Sequence, residues 1–136
     1  MSKLIHGSCY CQKIMFIVKD EFSRFYFCHC DQRRKMMGTA HAANLFTEVD
    51  NLTWLKGAEL VKRYDDPHRA FTKAFCPECG SPLPYISKAS NTMVVPAGCL
   101  DEEPSKQVDA QLFCVEQPHW YQVGLSAEKK AGFPNS

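Results

Sequence analysis

Six of the eight cysteines fall in three close pairs: Cys9 and Cys11 in "SCYC", Cys28 and Cys30 in "FCHC", Cys76 and Cys79 in "FCPEC". Thiolates are soft ligands, so sulfurs spaced this closely point to zinc rather than to magnesium or calcium. A disulfide framework is disfavoured, because side chains at i and i+2 meet only in strained geometry. The opening residues, "MSKLIHGSCYCQ", lack the apolar stretch and cleavage site of a secretory signal. A cytosolic setting, where thiols stay reduced, is therefore expected.

Cys76 and Cys79 have the spacing of a zinc knuckle. Pro77 helps to set the turn after the first, and Gly80 allows a left-handed backbone after the second. Cys9 and Cys11, read as part of a strand, would direct two sulfurs to one face and turn Tyr10 to the other. The two pairs supply four thiolates, enough to close a tetrahedral structural zinc site that clamps the N-terminal strand to the middle of the chain.

The third pair lies in "FCHCDQRRKMMG", residues 27–38. Cys28 and Cys30 offer two thiolates, but Arg33 and Arg34 stand where a third ligand is expected. A guanidinium is cationic and has no lone pair for a metal. His29 or Asp31 could complete the site, or His41 or Cys99 through the fold. Alternatively the charge of Arg33 lowers the pKa of Cys28 or Cys30 and leaves a reactive thiolate. Arg33 and Arg34, with Lys35, could also hold a carboxylate of an anionic substrate. The run is too short, and lacks the interleaved aromatics, for nucleic-acid binding.

The elements that must position these residues are short. The 136 residues, 45% of them hydrophobic, suit one domain spanning 1–136 with a buried core. A formal net charge of +1 excludes a polyanion-binding surface by charge excess, and no apolar run is long enough to span a membrane. Alternating runs rich in Phe, Tyr, Val, Ile and Thr predict strands at 14–18, 24–27, 43–46, 52–55, 60–64, 70–75, 84–87, 92–95 and 111–115. Gly, Pro and Asp clusters separate them. Helix is expected only at 31–37 and in the tail at 126–132, and the closing "AGFPNS" is expected to fray. Trp54 and Phe46 are assigned to the core, Trp120 to the core or a pocket, and Cys99 and Cys114 to small buried positions. His6 is expected on a strand surface, and His68 and Arg69 in an exposed turn. The class is mainly β.

Five segments occur together and in order: "GSCYCQKIMF", "CHCDQRRKMMG", "RAFTKAFCPECGSPL", "VVPAGCLDEEP" and "QPHWYQV". In this combination the chain, from about residue 5 to 122, resembles the glutathione-dependent formaldehyde-activating enzyme family, whose domain also occurs in centromere protein V. The resemblance implies several small antiparallel sheets around a structural zinc, an arrangement called a β-tent. Its CxC and distant CxxC zinc ligands fall on Cys9, Cys11, Cys76 and Cys79. It also implies carbon–sulfur lyase chemistry joining formaldehyde to glutathione, with a second, catalytic zinc on a CxCxxC motif. Two of those positions fall on Cys28 and Cys30, and the third on Arg33, where this sequence departs. Three functions follow: a lyase-like zinc protein with a degraded catalytic motif, a non-catalytic zinc scaffold that binds glutathione, another small thiol or a protein partner, or a redox thiol protein using Cys28 and Cys30.

Overall fold

The structure, a computed structural model, describes residues 2–134. Three small sheets share one core. In the first, β1 (Leu4–Ser8) and β2 (Met15–Lys19) form an antiparallel hairpin, and β5 (Leu52–Lys56) pairs with the other edge of β2. Alternation decides which face is inward: Ile5, Phe16 and Val18 are fully buried, while Leu4, His6 and Lys19 face solvent. Gly7 is required at its position. A Cβ there would lie 2.2 Å from the Phe16 ring, so only glycine lets that ring slide beneath the strand.

The central sheet contains β3 (Arg24–Cys28), β4 (Ala42–Glu48), β9 (Tyr85–Ile86), β10 (Thr92–Pro96) and β11 (Ala110–Leu112). Their order is β11-β3-β4-β10-β9, antiparallel throughout except that β11 runs parallel to β3. The third sheet is β6 (Lys62–Asp65), β7 (Thr72–Phe75) and β8 (Pro82–Leu83). Ile14, Leu45, Leu83 and Val95 join Ile5, Phe16 and Val18 in the core, and Trp54 meets Phe16 edge-on at 5.7 Å between ring centroids. Phe46 is half-buried against the same cluster.

Helix α1 (Asp31–Met37) follows β3 as the sequence predicts. It ends because Gly38 takes a left-handed conformation and its N–H returns to the Arg34 carbonyl at 2.8 Å. The tail expectation is corrected. Residues 126–132 are not helical, and the second helix is α2 (His119–Leu125), one step earlier and launched from Pro118. "SAEKKAG" has good helix formers but no apolar stripe to bury, and a helix that short is not stable on propensity alone. The predicted strand at 111–115 stops at Leu112, because Phe113 adopts φ 57° and turns the chain into a 3₁₀ turn at Cys114–Glu116. Of the residues expected to fray, Asn135 and Ser136 lie outside the described residues. No helix among the described residues is long and apolar enough to cross a membrane.

Candidate metal centre and adjoining cavity

The sulfurs of Cys9, Cys11, Cys76 and Cys79 all lie within 4.8 Å of one another. Cys9 and Cys11 are 3.6 Å apart, and Cys11 and Cys76 3.8 Å apart. A tetrahedron of thiolates at the usual zinc–sulfur bond length has edges of about 3.8 Å. The four side chains are therefore gathered closely enough to hold one metal ion. Among the described residues no other group of three or more His, Cys, Asp or Glu ligands is so gathered.

The local backbone explains the convergence, and it corrects one sequence expectation. Cys9 and Cys11 are not on a strand. They occupy a turn closed by the Gln12 N–H to the Cys9 carbonyl (3.1 Å) and by the Cys9 N–H to the Ile14 carbonyl (3.1 Å), with Gln12 at φ 65°. The turn brings both sulfurs together, Cys9 buried and Cys11 at the surface. The knuckle opposite is built as expected: the Gly80 N–H reaches the Cys76 carbonyl at 2.7 Å with Gly80 at φ 77°. Ser81 ties the two turns together by accepting the Tyr10 N–H at 2.8 Å and lying 3.3 Å from the Cys79 sulfur. The Ser81 hydroxyl, with the Cys11 and Ser81 backbone N–H groups, holds the Cys79 thiol down to about 5. At Cys11 the Lys13 N–H pulls the other way, but desolvation and the neighbouring thiols raise it to about 11. A bound cation would favour the thiolate form of all four.

Cys28 ends β3 and Cys30 precedes α1, with their sulfurs 3.4 Å apart. No third ligand joins them among the described residues. His29 is fully buried between the rings of His41 (4.9 Å) and Tyr121 (5.3 Å), with Nε2 2.9 Å from Gln111 Oε1. Asp31 is paired with Arg34. His41 Nδ1 donates to the Ala42 carbonyl at 3.1 Å, and the Cys99 thiol donates to the Pro96 carbonyl at 3.0 Å. Burial pushes the Cys99 thiol up to about 12, and the residue is half-buried against the core where a buried one is expected.

The Arg33 guanidinium is engaged by the sheets. Its Nη1 is 3.3 Å from the Tyr85 hydroxyl and 3.4 Å from the Thr72 carbonyl, and the guanidinium lies 4.9 Å over the Phe71 ring. The expected lowering of the Cys30 pKa is corrected: desolvation outweighs the pull of Arg33 and its backbone N–H, and the thiol is raised. Cys114 is also corrected, from buried to exposed, because the left-handed Phe113 throws it outward.

A cavity of about 580 Å³ opens beside the four-thiol turn, bounded by Tyr10, Met37, His41, Pro82, Cys99 and Leu100. Its wall also contains Ala42, the register partner of Cys28. Thr39 belongs to this wall and to a second recess lined by Arg34, Lys35 and Trp120. Arg34 is thus beside open space, while Arg33 is committed to the sheets. Trp120 is 59% exposed and borders the recess, not the core. His6, His68 and Arg69 are exposed as expected. Sequence reasoning did not find Tyr85, Ser81 or the cavity. Ser81, two residues past Cys79, was the one with a local signal.

A family model described as glutathione-dependent formaldehyde-activating enzyme matches residues 4–116. No match was found among curated proteins. Among solved structures, a crystal structure of a Rhodobacter sphaeroides protein from a structural genomics programme superposes with a TM-score of 0.61 at 20% identity. The match covers 78% of this chain and 98% of that one, and it shows a shared fold.

Proposed function

The chain belongs to the glutathione-dependent formaldehyde-activating enzyme family, and from that premise we propose that it is a zinc protein of the β-tent type whose cavity receives glutathione-class thiols or their formaldehyde adducts. Cys9, Cys11, Cys76 and Cys79 would hold one zinc. Four thiolates leave no open coordination position, so this ion stabilises the fold and does not activate substrate. The apolar cavity suits the body of a small thiol. The recess beyond Thr39 offers Lys35 to its carboxylates, beside Arg34, which is paired with Asp31. A cytosolic setting agrees with such a ligand.

The family's carbon–sulfur lyase reaction would call for a second metal at Cys28 and Cys30, and the side chains there do not fit one. Two sulfurs without a third ligand fall short of the three protein ligands a catalytic zinc usually has. The observation that carries this reading is Arg33, whose guanidinium is held by Phe71, Tyr85 and Thr72 at the position the family motif gives to a ligand. The reading is of a scaffold that binds the thiol and does not catalyse adduct formation.

Zinc per chain, measured in protein purified without added metal, tests it together with titration of glutathione and exchange spectroscopy of the formaldehyde adduct. One equivalent of zinc, saturable binding and no acceleration of exchange are expected. Two equivalents with accelerated exchange would instead establish the lyase. Absence of any binding would remove the cavity from the argument.

A further inference from the structure

Cys28 and Cys30 remain as two thiols that no metal set claims. Their sulfurs are 3.4 Å apart, close enough that small side-chain rotations would bring them to bonding distance. The two differ in access: Cys28 is half-buried at the end of β3, whereas Cys30 is 3% exposed. His29 between them points to the opposite side, into the ring cluster with His41 and Tyr121, so no side chain separates the sulfurs. Arg33, the residue that could have competed for them as a cation, is engaged elsewhere.

We propose that Cys28 and Cys30 are a reversible thiol–disulfide exchange pair for low-molecular-weight disulfides, with Cys28 attacking and Cys30 resolving. The Cys28 thiolate attacks one sulfur of a small disulfide RS–SR, forming a Cys28–SR mixed disulfide and releasing RS⁻. The Cys30 thiol then loses its proton to the released thiolate. Its sulfur attacks Cys28 and expels the second RS⁻. The chain is oxidised by two electrons, and the small disulfide is reduced to two thiols. Access assigns the roles, since a buried sulfur reaches its neighbour more readily than it reaches a solute. A bridge between residues i and i+2 is strained and readily reduced, so excess thiol returns the pair to the dithiol.

The test uses zinc-loaded full chain carrying Cys114→Ser, because Cys114 is exposed and would add its own mixed disulfide. Glutathione disulfide is the reagent, and tryptic cleavage after Arg24 and Arg33 puts both cysteines in one peptide. The parent is expected to give that peptide with an internal disulfide, reversed by glutathione. Cys30→Ser should retain one glutathione on Cys28, and Cys28→Ser should form no bond there. An unmodified peptide at large disulfide excess would overturn the proposal, and so would oxidation that occurs only as zinc is released. Mapping the parent keeps the test decisive if a variant fails to fold, and zinc stoichiometry reports separately on the four-thiol site.

Discussion

Replacing Arg33 by cysteine tests whether one side chain decides the metal content of this molecule. The loss can be worked from the contacts. The guanidinium over Phe71 contributes about 0.5–1 kcal/mol. The two hydrogen bonds, at 3.3 and 3.4 Å, sit at the long end of the range and add about 0.5 kcal/mol each. The total is about 1.5–2 kcal/mol, or roughly 5–7 °C in unfolding temperature for a chain of this size. Against this stands a new ligand. The Arg33 backbone N–H already faces the Cys30 sulfur across the first turn of α1, so a thiol at residue 33 starts one turn from the pair. Three thiolates and an open position make a usable zinc site. Arg33→Met serves as control, losing the same contacts and gaining no ligand. Metal analysis should give one zinc for the parent and Arg33→Met, and two for Arg33→Cys. Thermal unfolding should show the loss in Arg33→Met and its recovery with zinc in Arg33→Cys. A folded Arg33→Cys that still carries one zinc would refute the view that the missing third ligand is what empties this site. An Arg33→Met variant as stable as the parent would refute the role given to the sheet contacts.

Asp65 is held below the usual carboxylate range, first by Arg63 and then by the buried Thr72 hydroxyl, which donates at 2.6 Å. A depressed folded pKa stabilises the charged form, so the advantage of the parent over Asp65→Asn should be full above about pH 4 and lost as pH falls through the carboxylate range; denaturant unfolding at several pH values checks it, and a pH-independent difference would contradict it. Gly57 and Gly80 both have positive φ, at 73° and 77°, but a Cβ at Gly57 would lie 2.2 Å from the Lys13 carbonyl oxygen while Gly80 faces open space. Gly80→Ala should cost about 1–2 kcal/mol from the left-handed backbone alone, and Gly57→Ala clearly more; equal costs in denaturant melts would show that the turn at Lys13 yields. Phe16→Ala, at the fully buried centre of the first sheet, should cost about 3–5 kcal/mol by the same measurement.

Much of this arrangement was legible because its signals are local. The run "MFIVK" alternates, so its inward residues can be named before any fold is known. The knuckle "CPECG" has its turn chemistry written in sequence, and its partner pair follows from ligand count. The CYC pair reached the correct cluster by an incorrect path: i and i+2 share a face in a strand, but here a left-handed Gln12 bends the chain and the same two sulfurs converge in a turn. What Arg33 does was not legible, because its partners Thr72 and Tyr85 lie 39 and 52 residues away. Sequence excluded Arg33 as a metal ligand and offered its charge to the neighbouring cysteines or to a substrate carboxylate, not to the sheets. Cys114 shows the limit of hydropathy: "QLFCV" looks like a buried strand until Phe113 takes a conformation no pattern announces.

The two long-range ties converge on the third sheet, and its composition explains why. β6 is exposed at every position, β8 has two residues, and the buried side chains of this sheet are Thr72, Ala74 and Leu83. So little apolar area cannot hold three strands in place by burial alone. Cys76 and Cys79 sit in the loop between β7 and β8, so a metal there would fasten that loop to the β1–β2 turn. Arg33 fastens the opposite end of β7, at Thr72, to α1. Zinc removal by a strong chelator should therefore not loosen the molecule evenly. Amide exchange should rise first in β6, β7 and β8, while β2, β4 and β10, which carry the fully buried Phe16, Leu45 and Val95, keep their protection longer. Arg33→Met should widen that difference, because it removes the second tie from the same sheet. If chelation instead releases all three sheets together, the core is one cooperative unit, and the four sulfurs stabilise it as a whole.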